Sequence, residues 1–158
     1  MRQELRNNAG RTAAWLRSFD GDRIALLKAL RFELRGYDPL TGEPLNLIEQ
    51  LNQTFTTLAT LRAVELLLEL HPDANGFRLA LGTSNGRHIE SVVPGLVAAQ
   101  VFSATSPASD RKLKKDTARL AADPAGHRYV FFAAPGFAPG RHELLETLPG
   151  IQVYCVEP

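Results

Sequence analysis

Apolar residues advance by three or four positions between Asn46 and Leu70, at Ile48, Leu51, Phe55, Leu58, Leu61, Val64 and Leu68, with no glycine or proline between them. That period puts one apolar stripe on one side of a helix, so a long helix is predicted over Asn46–Leu70. Pro44 suits its first turn, and His71–Gly76 ends it. Ile24, Leu27, Leu30 and Leu34 repeat the spacing and predict a helix over Arg23–Arg35. Asp20-Gly21-Asp22 supplies its break and N-cap, and Gly36 stops it. A short helix fits Thr12–Phe19. Met1–Gly10 is polar and reads as frayed or weakly helical. Gly36–Glu43 reads as a turn-rich connector.

Beyond Gly76 the period shortens to two. Phe77–Leu81, Arg87–Val93 and Leu96–Thr105 are predicted strands. Gly82–Gly86 and Pro94-Gly95 are the turns between them. The third run is small and apolar enough to be a central strand. Ser106–Asp110 has the composition of a loop and helix cap. It precedes a predicted helix over Arg111–Ala122. A strand at Arg128–Ala133, a short helix at His142–Leu148 and a last strand at Ile151–Val156 follow. From Pro44 the order is helix, three strands, helix, strand, helix, strand. This predicts an α/β domain over 44–158 with an N-terminal helical extension over 1–43, one compact domain overall.

Composition adds limits. The 158 residues are 44% apolar and 22% charged, which fits a folded chain and excludes a disordered body. Formal net charge is +1, so any nucleic-acid contact needs local clustering. Such a cluster exists: three of the four lysines, Lys112, Lys114 and Lys115, follow Arg111 within one helical turn and a half. No apolar run is long enough to cross a bilayer, and Met1–Arg17 has no signal-peptide core. With a single cysteine, Cys155, the chain is expected in a reducing cytoplasm. Trp15, Leu16 and Phe19 leave apolar surface for a sheet edge or a homodimer contact through the N-terminal helices.

Four places offer chemistry. Glu49, Gln53, Thr56 and Thr60 share one face of the long helix, either as a solvated surface or with Glu49 at the mouth of a site. Glu90 lies in a strand, where an acid needs an edge, a partner or a function. It is either an exposed carboxylate paired with Arg87 or a metal ligand. His88, two residues away, reads as a surface group. Gln100 is strongly polar in an apolar strand, so its amide must be satisfied internally; its carbonyl could ligate a hard cation. Cations at Arg111, Lys112, Lys114 and Lys115 oppose the helix dipole at a helix start, which points either to a solvated turn or to an anion such as phosphate. His71, His127 and His142 lie in or beside turns and read as solvent groups. Cys155 reads as core.

The element order, with Glu90 and Gln100 on neighbouring strands, resembles the PD-(D/E)xK, or restriction-endonuclease-like, nuclease superfamily over roughly Pro44–Val156. The resemblance implies an αβββαβ core with a mixed sheet. It also implies metal-dependent phosphodiester hydrolysis of DNA or RNA with Mg2+ or Mn2+. Glu90 matches that family's second-strand acid and Gln100 its third-strand position. Glu49 matches a supporting acid on the first helix, and Lys112 could replace the lysine by migration onto the following helix. The family's own lysine position holds Phe102. Without a cation there, forming hydroxide near a phosphate is less favourable. The resemblance thus implies either a nuclease or a non-cleaving domain on the same fold that binds nucleic acid or protein.

Overall fold

Two long apolar runs, Val97–Ser103 and His127–Ala133, set the fold of the C-terminal part, because strands covered on both faces lose the in–out alternation of a half-exposed sheet. The computed structural model describes residues 1–81 and 86–158. The expected turn at Gly82–Gly86 therefore lies outside the described residues except for Gly86. The chain divides into two compact units, Met1–Thr54 and Phe55–Pro158.

In the first unit, α1 spans Arg2–Ser18 and α2 spans Arg23–Phe32. Asp22 caps α2 by accepting from the N–H groups of Ile24 and Ala25 at 2.8 Å. Strands β1 (Gly36–Tyr37) and β2 (Pro44–Leu45) form a small antiparallel hairpin. Helix α3, Leu47–Leu70, starts here and continues into the second unit. Its start is capped by Asn46, whose Oδ1 accepts from the Glu49 N–H at 2.9 Å.

Three expectations need correction. Met1–Gly10 is not frayed: Leu5, Asn8 and Thr12 recur at helical spacing and are buried. Two of those three are polar, so an apolar pattern does not show them. Asn8 Nδ2 donates to the Asp38 carbonyl at 3.0 Å, and Thr12 Oγ1 donates to Gln50 Oε1 at 2.6 Å. Pro44 sits in β2 rather than in the first turn of α3. The connector Gly36–Glu43 contributes β1, because Asp38 closes its turn by accepting from Leu40 and Thr41.

The second unit is built on a six-stranded sheet: β3 (Phe77–Leu79), β4 (Ile89–Ser91), β5 (Val97–Ser103), β6 (His127–Ala133), β7 (Gly140–Arg141) and β8 (Ile151–Cys155). Its order is β3-β4-β5-β6-β8-β7. The first three strands pair antiparallel, β5, β6 and β8 run parallel, and β7 closes the edge antiparallel. Helix α4, Lys112–Ala121, forms the crossover that parallel β5 and β6 require.

Alternate residues of the central strands feed two cores. Val97, Ala99, Val101, Tyr129 and Phe131 pack with Ala59, Ala63 and Leu67 of α3 on one face. Ala98, Phe102, Val130, Phe132 and Val153 pack with Leu113 and Leu120 of α4 on the other. The protein is thus mixed α/β, with a six-stranded mixed sheet flanked by helices. No helix among the described residues is long and apolar enough to cross a membrane.

The expected helix at His142–Leu148 is only one 3-10 turn, Glu143–Leu145. Leu144 is fully exposed and only Leu145 packs on the core there, so the segment has no continuous apolar face to bury. Arg141 holds the Glu146 carboxylate through two hydrogen bonds, 2.8 and 2.9 Å, and fixes the loop instead.

Candidate functional site on the face beneath α4

Glu90 pairs across the ladder with Ala98, two residues before Gln100. Ala98 and Phe102 belong to the core under α4, so pleat alternation places Glu90 and Gln100 on that same face. The sequence-expected strand acid and amide are therefore neighbours on one side of the sheet.

Glu90 is already partnered. Arg87 Nη1 donates to Glu90 Oε1 at 2.5 Å. The same guanidinium donates through Nε and Nη2 to the two oxygens of Asp123, at 2.6 and 2.9 Å. Asp123 lies just beyond α4, so one arginine ties β4 to the end of the crossover helix. Hydrogen bonding to Asp123, and the charges of both carboxylates, hold Arg87 firmly protonated.

Gln100 is 3% exposed. Its Nε2 donates to the Gly86 carbonyl at 3.0 Å, and its Oε1 has no hydrogen-bond partner. Asp116 of α4, which sequence reading did not single out, is fully buried. Its Oδ1 lies 3.4 Å from both Lys112 Nζ and Arg119 Nη1, and its Oδ2 has no partner. A sequence signal for Asp116 existed. Leu113, Thr117 and Leu120 mark the inward stripe of α4, and Asp116 is three residues from Leu113 and four from Leu120.

His88 corrects another expectation. It is buried rather than a surface group, and its Nδ1 accepts the Val101 N–H at 2.8 Å. The neutral ring therefore carries its proton on Nε2. Burial pushes His88 below the usual histidine range, while the nearby Asp116 charge opposes that shift. Lys112 and Arg119 also act on it, so His88, Lys112, Asp116 and Arg119 share one electrostatic neighbourhood.

The start of α4 is unusual. Asp110 and Arg111 both take left-handed backbone angles, φ 51° and 55°. That region disfavours residues with a Cβ, most of all a long side chain such as arginine. No side chain caps α4, which corrects the expected cap within Ser106–Asp110. Lys112 leans on Asp116, whereas Arg111, Lys114 and Lys115 are exposed and have no acidic partner among the described residues.

Phe102, at the family's lysine position, is 2% exposed and stacks on Phe132 with ring centroids 6.1 Å apart. That position faces the core. Glu49 belongs to the first unit, at the first turn of α3. Of the other three histidines, one differs from expectation. His71 is buried, with Nε2 2.7 Å from the Tyr129 hydroxyl, and is not a solvent group. His127 is exposed, as expected.

As a home for Mg2+ or Mn2+, this donor set is a poor match. Hard divalent cations take carboxylates and neutral oxygens. Here the carboxylates Glu90, Asp123 and Asp116 are matched by Arg87, Lys112 and Arg119. The buried acceptors left without a donor are Gln100 Oε1 and Asp116 Oδ2. Among the described residues no three His, Cys, Asp or Glu side chains group as a metal site. Comparisons of the chain with protein-family models, curated proteins and solved structures return no match.

Proposed function

We propose that the second unit is a nucleic-acid-binding domain on a restriction-endonuclease-like core that grips the phosphate backbone without cutting it. One observation carries this reading: Arg111, Lys114 and Lys115 stand exposed, without an acidic partner among the described residues, at a helix start where the dipole opposes them. Local stability does not account for cations there, whereas a polyanion does. The non-cleaving half of the reading rests on Phe102, which fills the lysine position with core, and on Arg87, which neutralises Glu90. The meander β3-β4-β5, the crossover through α4 and the parallel β6 agree with an αβββαβ core.

The test is anisotropy with labelled single-stranded DNA, duplex DNA and RNA, with parallel incubation in Mg2+ or Mn2+. Salt-dependent binding that weakens in Lys114→Ala/Lys115→Ala, without strand scission, is expected. Absence of binding to all three at low salt would sink the proposal.

A second reading, a metal-dependent phosphodiesterase, draws on the two buried oxygens without donors, Gln100 Oε1 and Asp116 Oδ2. A cation would satisfy both. Glu90 and Gln100 would be ligands there, with Lys112 the cation beside the attacking water. Metal-dependent cleavage lost in Gln100→Ala, with the fold intact, would favour it over the first.

A further inference from the structure

At the other end of α4 from Arg111, a polar cleft of about 490 Å³ opens where β6 and β8 begin. Its walls include His127, Arg128, Arg141, Glu146, Gly150 and Gln152. Two guanidinium groups line it, and their situations differ. Arg141 is held by Glu146 through two hydrogen bonds. Glu146 also accepts the Val153 N–H at 3.1 Å, so its carboxylate is occupied and well below the usual range, chiefly through Arg141.

Arg128 has no acid. Among the described residues its hydrogen bonds are two long ones, 3.4 Å each, from Nη1 to the carbonyls of Leu120 and Ala121 at the end of α4. Its Nε is buried without a partner. Half-buried cations are ordinarily paired, because desolvation costs more than weak carbonyl contacts return. Two bonds to carbonyls at a helix C-terminus help to orient the group. They leave Nη2 toward the turn at Pro149-Gly150, where a Cβ on Gly150 would come within 2.6 Å of it. Gly150 has φ +73°, a conformation that also favours glycine. The turn thus lets the guanidinium lie against bare backbone at the wall of the cleft.

Further donors line the same cleft from the opposite face of the sheet. His127 is exposed, its ring 4.5 Å from that of His71. Gln152 uses its Oε1 to accept from the Tyr154 hydroxyl at 3.1 Å, which leaves its amide nitrogen as the donor end.

We propose that this cleft binds a small oxyanion, a phosphate monoester or a carboxylate, on Arg128 with His127 and Gln152 as flanking donors. Nη2, the one nitrogen of the guanidinium that is neither buried nor hydrogen-bonded among the described residues, is the donor that meets either anion. The site is separate from the cations of the α4 start and does not depend on the function proposed for them.

The test is a titration of the full chain with inorganic phosphate and, in a second arm, acetate, followed by amide and arginine Nε–H NMR shifts. Saturable shifts at Gly150 and Arg128 are expected, with dissociation constants on the order of 1 mM for a single charge-assisted site. The arm that binds more tightly identifies the anion class. Arg128→Gln should weaken binding about tenfold or more. His127→Ala, at an exposed position, should weaken it less and leave the fold intact. Lys114→Ala/Lys115→Ala should leave these shifts unchanged. Lack of saturable shifts at Gly150 and Arg128 in both arms overturns the proposal. So does equal binding by Arg128→Gln. Because the mapping is made on the unmodified chain, the outcome does not hinge on how well any variant folds.

Discussion

Arg87 and Glu90, three residues apart, join Nη1 to Oε1 at 2.5 Å, and the same guanidinium holds Asp123 thirty-six residues away. The two carboxylates are not equivalent. Asp123 keeps 11% of its side-chain exposure, whereas Glu90 keeps 37%. Removing Arg87 leaves the largely covered Asp123 with only the Ala125 N–H on its Oδ1, and removing Glu90 strands nothing. Arg87→Ala is therefore expected to cost about 1–3 kcal/mol, the range for leaving a buried polar group unsatisfied. Glu90→Ala should stay within about 1 kcal/mol, as for an exposed pair. Urea unfolding of both variants checks the order. Equal costs would mean that Asp123 does not depend on the arginine.

A lysine at position 102, where the resemblance implies one, should not be tolerated. Phe102 is buried against Phe132, with Val130, Leu120 and Ala98 in the same core. Phe102→Lys would remove aromatic packing worth about 3–5 kcal/mol and bury an ammonium without a carboxylate. The expected outcome is loss of the folded state, read as a lost cooperative melt. A folded Phe102→Lys that cleaves nucleic acid with Mg2+ would instead show that the side chain swings into a working site.

Acid should weaken the fold through histidine before it does so through carboxylates. Burial lowers both His88 and His71 from the usual value, with the His127 charge adding to the shift at His71. Each is neutral when folded and takes up a proton more readily when unfolded. The unfolded state then binds more protons, so stability is full above about pH 6.5 and falls as pH drops through that value. The slope is at most about 1.4 kcal/mol per pH unit for each histidine. Asp38 and Glu146, both lowered, lose their contribution only below about pH 4, the unfolded carboxylate range. Unfolding midpoints in urea at pH 7.5 and 5.5 should differ accordingly. In His88→Gln, which keeps an acceptor for the Val101 N–H, the difference should shrink. A midpoint independent of pH across that interval would refute the assignment.

Nucleic-acid affinity gives a second pair of numbers. Each phosphate contact contributes about 0.9 to the slope of log affinity against log salt for duplex, or about 0.7 for single strands. Lys114→Ala/Lys115→Ala should therefore lower the slope by about two contacts' worth. Lys112→Ala should lower it less, since Lys112 already faces Asp116. A slope unaffected by all three lysines would move any binding elsewhere on the surface.

Much of this architecture can be read from residue spacing. The long helix, the central strand and the α4 crossover stand within one or two residues of where periodicity places them. The face the long helix buries is not the stripe its spacing marks: Leu51, Phe55 and Leu68 are exposed, whereas Ala59, Thr60, Ala63 and Leu67 are buried. The adjacency of Glu90 and Gln100 follows from strand alternation. What spacing does not reveal is satisfaction. Arg87 reaches Asp123 across the sheet, His88 turns inward to the backbone of β5, and Asp116 is fully buried. Each depends on a partner distant in sequence. In the first unit α2 and its Asp22 cap stand where the spacing places them, whereas the start of α1 does not, since its buried contacts are polar.

Gln50 is the clearest case, and it gives the last prediction. It is 4% exposed, and its Oε1 accepts from Thr12 Oγ1 at 2.6 Å and from the Tyr37 N–H at 3.1 Å. One carbonyl oxygen therefore joins α1 and β1 to the start of α3. Gly36 is glycine for the same contact: a Cβ there would come within 2.7 Å of Gln50 Oε1 and 3.1 Å of the Asn46 carbonyl. Gln50→Ala leaves the Tyr37 N–H without its acceptor and the Thr12 hydroxyl with only the Asn8 carbonyl at 3.3 Å, and should destabilise the first unit by about 2 kcal/mol. Thr12→Val removes one donor and leaves the other in place, so it should cost about 1 kcal/mol. Gly36→Ala must displace the amide or the backbone, and should behave like Gln50→Ala although it deletes no hydrogen-bonding group. Hydrogen exchange at the Tyr37 amide reads all three directly: faster in Gln50→Ala and Gly36→Ala, and little changed in Thr12→Val. Unchanged exchange in Gln50→Ala would mean that Tyr37 is protected by the β1–β2 hairpin alone.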